Sequence, residues 1–405
     1  MDPIFRPPLH RQRHQFVIDF VMRNKPKKVI DLGCGECSLL KKLRFHREIE
    51  LLVGVDINGA KIKKKMHVLA PISTDYLQPS NRQLRIEMYQ GSVTQRDARL
   101  RGFDLVTGIE LIEHLTLADV ELFSAVVFGY MAPATVIVST PNSEFNPLLP
   151  GLSGFRHNDH KFEWSRAEFR AWAMKVCLEH GYEVEFTGVG QAPQSQQDSV
   201  GFCSQIGVFH HLGGREHCNM LCGSDTDDVS SYTLLFCITY PSLQDNTTLQ
   251  RVLVNEVLYS SEQLKNKWME KTSQRSAEDV TSPVEQCLGV VSDSAVQECY
   301  EVFWMSGQKQ KEPCALNRFV CVPLAVLWSC CPKIRDLSGS VGHLRHLLMD
   351  EPKVKLSQDC SAVLVKYQEQ DQEDEVNSDL EDSCYPEDSQ CSHSAEQEED
   401  WETDV

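Results

Sequence analysis

Between Lys28 and Phe209, short apolar runs alternate with segments of helical spacing, the pattern expected of a parallel sheet covered by helices on both faces. Residues 29–32, 51–55, 84–88, 103–109 and 136–139 read as five strands in order, each closed by a turn or a capping residue. A helix is predicted over 165–180. Sixth and seventh strands follow over 182–188 and 204–209, and 232–240 is a further strand at an edge or in a hairpin. The expected fold class is therefore α/β, with a seven-stranded, mostly parallel sheet. Residues 190–200 and 211–230 are polar loops, 262–286 is a charged, Ser-rich connector, and 287–350 has scattered apolar residues without a defensible period. Three regions result: a catalytic domain over 1–250, a poorly defined region over 251–350, and an acidic tail over 351–405 that is too poor in apolar side chains to fold alone.

Charge changes this picture only once it is located. The 405-residue chain carries a formal net charge of -18, yet residues 367–405 alone hold 16 Asp and Glu and no Lys or Arg. The rest is nearly neutral. Residues 1–70 are basic, with 15 Lys and Arg against 7 Asp and Glu, including Arg6, Arg11, Arg13, Lys25 and the run from Lys61 to Lys65. Such a patch suits a phosphate-bearing partner, or else a solvated helix face. The opening residues lack the basic-then-apolar order of a secretory leader, so the 16 cysteines are expected to be reduced thiols. No apolar run approaches the ~20 residues that span a bilayer, so no membrane partner is expected.

Asp31-Leu32-Gly33-Cys34-Gly35-Glu36-Cys37 follows the first strand and opens a helix, so Gly33 and Gly35 permit a tight turn and close approach of a ligand to backbone N–H groups. Ser38 stands where a dinucleotide fingerprint has its third glycine, which disfavours NAD and FAD. Asp56 ends the second strand, where a carboxylate can accept both ribose hydroxyls of an adenosine cofactor. Ser92, after the third strand, can read an adenine edge. The first-strand acid, the glycine loop and the acid ending the second strand resemble class I, Rossmann-like S-adenosylmethionine-dependent methyltransferases.

Glu110-Leu111-Ile112-Glu113-His114 starts where the fourth strand ends. On a helix, positions i, i+3 and i+4 share a face, so Glu110, Glu113 and His114 would point into one small volume. His160 brings a further imidazole from the segment after the fifth strand. These four residues, with Asp-His-Lys-Phe-Glu-Trp at 159–164 and Ser-Thr-Pro-Asn at 139–142, resemble the small-RNA 2′-O-methyltransferases related to plant HUA enhancer proteins, over roughly residues 12–245. The resemblance implies an animal member that methylates the 2′-hydroxyl of the 3′-terminal nucleotide of PIWI-interacting RNAs. It further implies Glu110, Glu113, His114 and His160 as metal ligands, His160 rather than His157, with His114 or His160 also able to take the proton. Magnesium follows from the family, whereas two nitrogen ligands suit manganese better; the ion stays open between Mg²⁺ and Mn²⁺. Expected partners are single-stranded RNA 3′ ends and an Argonaute-clade protein, with a monomeric enzyme in the cytoplasm, in germ-cell granules.

Phe155, Arg156, Lys161 and Trp164 flank the proposed ligands and are placed to stack on or neutralise the last nucleotides, although Trp164 equally suits the core. His217-Cys218 and Cys222 lack the paired spacing of a zinc finger. Two rivals remain at this level: a metal-dependent methyltransferase for a catechol-like diol, and a noncatalytic adaptor working through its C-terminal region.

Overall fold

The computed structural model describes residues 5–194, 197–214, 230–278 and 319–366. They fall into two compact units, one within Met1–Leu243 and one within Gln244–His393. The acidic stretch 367–405 and the His217, Cys218 and Cys222 group lie outside the described residues.

In the first unit the elements run α1 (Leu9–Asn24), β1 (Lys28–Leu32), α2 (Ser38–Leu43), β2 (Leu51–Asp56), α3 (Gly59–Lys65), α4 (Ser73–Leu77), β3 (Arg85–Gln90), β4 (Leu105–Ile109), α5 (Leu117–Ser124), β5 (Thr135–Pro141), α6 (Arg166–His180), β6 (Tyr182–Gln191), β7 (Phe202–His211) and β8 (Thr233–Thr239). They form one sheet in the order β6-β7-β5-β4-β1-β2-β3-β8. Strands β3, β2, β1, β4 and β5 pair in parallel, and β7 runs antiparallel between β5 and β6. The seven strands thus carry an eighth, β8, antiparallel on the edge of β3.

Alternation along β1 explains how the sheet is held: Val29 packs with Val17, Phe20, Leu40 and Leu52 on one face, and Ile30 with Val106, Phe123, Val136 and Phe128 on the other. Each such side chain, fully buried, contributes roughly 1.5–3 kcal/mol relative to leaving it in water. Central β5 is buried along its whole length, as a strand covered on both faces must be. Helix α6 has the start its sequence promises. Ser165 accepts from the Glu168 N–H, while the Glu168 carboxylate accepts from the Ser165 N–H, a reciprocal cap. Gly181 then ends the helix in a left-handed turn.

Chain order leaves β1 for β2 on one side and returns to β4 on the other. Open α/β sheets bind ligands at such a reversal, outside the carboxyl ends of the strands. Both the glycine turn after β1 and the Glu110–His114 motif after β4 sit there, because Leu32 pairs beside Gly108.

The second unit contains a helix, Asn246–Glu278, an antiparallel pair made of β9 (Phe319–Pro323) and β10 (Ala362–Lys366), and three short helices, Leu324–Cys330, Pro332–Ser338 and Val341–Met349. Leu253, Val254 and Val257 of the first helix share a core with Val320, Val322, Leu327, Ile334, Leu344 and Leu348. The expected connector over 262–286 is thus helical as far as Glu278. The tail expected from 351 starts too early, since β10 completes this core. The sequence hides the unit because its three later helices are too short to set up a period and its core residues on the long helix lie far from them along the chain. Among the described residues, no helix is long and apolar enough to cross a membrane.

Candidate active site

The turn after β1 is built by left-handed backbone at Gly33, Gly35 and Cys37, with φ of 73°, 50° and 64°. Gly33 and Cys34 donate their N–H groups to the Val55 carbonyl, at 2.8 and 3.1 Å, which clamps the turn against the end of β2. A side chain at Gly33 would meet Leu111, whereas nothing lies within 4 Å of a Cβ built on Gly35. Gly35 therefore leaves room for a ligand to approach the main chain.

Asp56 holds this cradle. Its carboxylate accepts from the Gly35 N–H at 2.9 Å and from the Asn58 N–H at 2.7 Å. Each oxygen keeps a further lone pair, so ribose hydroxyls can still be accepted. Asp31 lies beneath the turn, buried, and accepts from the Thr107 hydroxyl at 2.7 Å. Burial pushes its carboxyl up to about 7, against the Thr107 hydrogen bond and with help from the nearby Asp56 charge. Ser92 shares a hydroxyl contact of 2.7 Å with Thr94, and its carbonyl accepts from the Tyr232 hydroxyl at 2.7 Å. The Ser92 hydroxyl is thus already engaged within its own turn.

The motif after β4 does not form the expected α-helix. Glu110 turns the chain with a left-handed φ of 49°, and only a single 3₁₀ turn, Ile112–His114, follows before α5 starts behind its Thr116 cap. The two glutamates consequently part. Glu110 accepts from the Ser139 and Ser204 hydroxyls at 2.9 and 2.8 Å, and its other oxygen lies 3.4 Å from the buried Arg13 guanidinium of α1. Glu113 is fully buried. One of its oxygens accepts from the Thr140 hydroxyl at 3.0 Å, and the other has no hydrogen-bond partner. Burial, reinforced by the Glu110 charge, holds its carboxyl well above the usual carboxylate range.

Beside this pair, His114, His157 and His160 bring ligand nitrogens within 4.8 Å of one another. His157, set aside at the sequence level in favour of His160, joins the cluster, and neither glutamate is part of it. The reason is local: the His157 carbonyl accepts from the His160 N–H at 3.2 Å, which curls the segment so that both rings face His114. The Lys161 N–H then donates to the Glu113 carbonyl at 2.7 Å and ties this segment to the 3₁₀ turn. His114 is held below its usual range by burial and then by His160 and His157. That favours the neutral, ligating form.

Three converging imidazoles and a buried carboxylate oxygen with no partner fit a divalent cation. An unsatisfied charged group at this depth is costly, and a cation would take the place of the proton that burial now favours on Glu113. Glu110 would contribute as a neighbouring charge that Arg13 and two serines orient.

Arg156 does not face a substrate. Its guanidinium donates to the Asn142 carbonyl at 2.5 Å, the Cys203 carbonyl at 2.9 Å and the Asn146 side chain at 2.7 Å. It ties the 155–164 segment to the strands. Trp164 packs between Phe162 and Trp172, with ring centroids 4.5 and 5.6 Å away, which settles it against the core. Phe155 and Lys161 are exposed and stay available to a ligand. Arg13, read from sequence as part of a phosphate-facing or solvated basic patch, is instead buried against Glu110, and Glu163 has no role in that reading. A buried arginine on an amphipathic helix gives no local sign of its target, whereas Glu163, inside the quoted Asp-His-Lys-Phe-Glu-Trp, was in view without a role.

A glycine cradle and an acid at the end of the second strand, with a histidine-rich rim one strand away, define a class I S-adenosylmethionine-dependent methyltransferase. The chain is 42% identical over 363 residues to a small RNA 2′-O-methyltransferase of Gallus gallus, covering 89% of this chain and 94% of that one. It is 41% identical to the Xenopus tropicalis protein of the same name, covering 94% and 99%. The chain belongs to the small RNA 2′-O-methyltransferase family. Residues 247–367 match the HENMT1 C-terminal domain. The solved structure of small RNA methyltransferase HEN1 superposes with a TM-score of 0.49 at 32% identity, over 58% of this chain and 28% of that one.

Proposed function

We propose that this methyltransferase modifies the 2′-hydroxyl of the 3′-terminal nucleotide of small single-stranded RNAs, with PIWI-interacting RNAs as its substrates. The observation that carries the reading is the convergence of His114, His157 and His160, whose ligand nitrogens lie within 4.8 Å of one another, one strand away from the cofactor cradle. The three histidines, with the buried Glu113 as a neighbouring charge, would hold Mg²⁺ or Mn²⁺, which would supply Lewis acidity to the hydroxyls of a terminal ribose, a pair that DNA and an already methylated end lack.

The chain's own groups do the rest. Asp56 and the Gly33–Gly35 turn would hold the adenosine end of S-adenosylmethionine at the sheet reversal, next to the histidine rim. Arg13 lies against Glu110 and balances its charge at the edge of the site. The hydroxyl proton would leave to solvent at the open side of the rim, where a third of the His157 side chain is exposed. Exposed Phe155 offers a stacking surface for the terminal base. An Argonaute-clade partner in cytoplasmic germ-cell granules would hand over the RNA end, and the enzyme would act as a monomer.

The test is incubation with labelled S-adenosylmethionine, Mn²⁺ or Mg²⁺, and an RNA ending in a 2′,3′-diol, beside the same RNA with a 2′-deoxy end and beside catechol. Label on the diol alone, abolished by a chelator, is the expected result. Equal label on both RNAs would move the acceptor to a base or an internal ribose.

A further inference from the structure

Glu163 lies three residues beyond His160, at the centre of a closed polar network. Its Oε1 is 2.6 Å from His160 Nδ1, with both side chains almost wholly buried. The same oxygen accepts from the Arg156 N–H at 2.6 Å, and Oε2 accepts from Asn146 Nδ2 at 2.7 Å. Asn146 is itself fixed, since its carbonyl oxygen receives Arg156 Nε at 2.7 Å. N–H donors reach both oxygens of the carboxylate, so Glu163 sits in this network as an acceptor.

An ionised carboxylate only accepts, so the proton in the short contact with His160 belongs to Nδ1. The ring is then a neutral imidazole with its lone pair on Nε2. A histidine oriented in this way by a carboxylate is a more basic and better aimed ligand.

We propose that Glu163 is the positioning residue for His160, fixing the ring as its Nδ1–H tautomer so that Nε2 is presented to the cation shared with His114 and His157. The inference rests on the reading that this cluster holds a divalent ion. Glu163 is buried and acts through His160, with Asn146 and Arg156 keeping it in register.

Two readouts test it without recourse to activity. In the full chain with ¹⁵N-labelled histidine, the two-bond ¹H–¹⁵N correlations of His160, assigned by their loss in His160→Asn, report the tautomer. Mn²⁺ alone, titrated and followed by the paramagnetic resonance of the free ion, reports affinity. The wild type is expected to show a protonated Nδ1 and to bind Mn²⁺. Glu163→Ala should lose the tautomer preference and bind Mn²⁺ about 100-fold more weakly, and Glu163→Gln, which keeps one acceptor, about 10-fold more weakly. Calorimetric S-adenosylmethionine affinity should hold in both variants. If Glu163→Ala fails to fold, the glutamine variant carries the test. Unchanged Mn²⁺ affinity in a variant beside a wild type that binds overturns the role of Glu163 alone. Parallel loss of cofactor affinity would replace positioning by a general structural role. A wild type that binds no Mn²⁺ overturns the metal reading, and this inference with it.

Discussion

Two buried carboxyls under the site set its response to pH and to mutation. Asp31 titrates near 7 in the folded protein against about 4 in an unfolded chain. Between those values the native state binds the extra proton, so the contribution to stability is complete below about pH 4 and is lost as pH rises through 7. Thermal melts without cofactor should therefore fall over that window, by up to a few kcal/mol in stability, and Asp31→Asn should flatten the slope. A wild-type curve as flat as that of the variant would remove the effect. Glu113→Gln should lower methyl transfer at least about 100-fold, since even outer partners of a metal site carry 10- to 100-fold. Folding and S-adenosylmethionine binding should survive, as single-turnover transfer beside calorimetry would show. Of these two, the sequence revealed Asp31 and Glu113 as residues but not the separation of Glu113 from Glu110. That separation comes from one left-handed residue, and nothing in Glu110-Leu111-Ile112-Glu113-His114 announces a positive φ.

Among the elements, the strands were legible and the turns were not. Runs such as 51–55 and 182–188 reappear as Leu51–Asp56 and Tyr182–Gln191 because continuous or alternating apolar residues leave a short segment little choice. The helix expected from Glu110 onward fails for a tertiary reason. The Ser139 carbonyl and hydroxyl both receive the Glu110 N–H, at 3.1 and 3.0 Å, which binds that residue to β5 rather than to a helical turn. Helix α1 went unrecognised behind its Pro-rich and basic opening, although Val17, Phe20 and Val21 give it a buried face. The β1 turn offers a sharp test. Gly33→Ala places a side chain where φ is 73° and against Leu111, the residue that links Glu110 to the 3₁₀ turn. A stability loss of roughly 1–2 kcal/mol is expected from the left-handed backbone. Cofactor affinity and Mn²⁺ affinity should fall together, because Leu111 joins the two sites; a loss confined to cofactor would disprove that link.

At the scale of the whole molecule, two cores imply two folding units. A chain ending at residue 243 retains every residue assigned to the cradle and the rim, with the core packed on both faces of the sheet. It should melt cooperatively and transfer methyl groups to naked RNA ending in a diol. Failure to fold would show that the second unit is needed for the first. Composition alone separated the acidic end from the rest, but the second unit stayed hidden because its core joins one long helix to short elements far from it in sequence. The setting of Glu110 has a consequence in time. Arg13, Ser139 and Ser204 reach it from three widely spaced points of the chain. A ribosome must therefore deliver β7 before the carboxylate has its full complement of neighbours. Nascent chains that stop short of β7 carry the recognisable motifs without the finished site, so competence to modify RNA is acquired only once Phe202–His211 has been made.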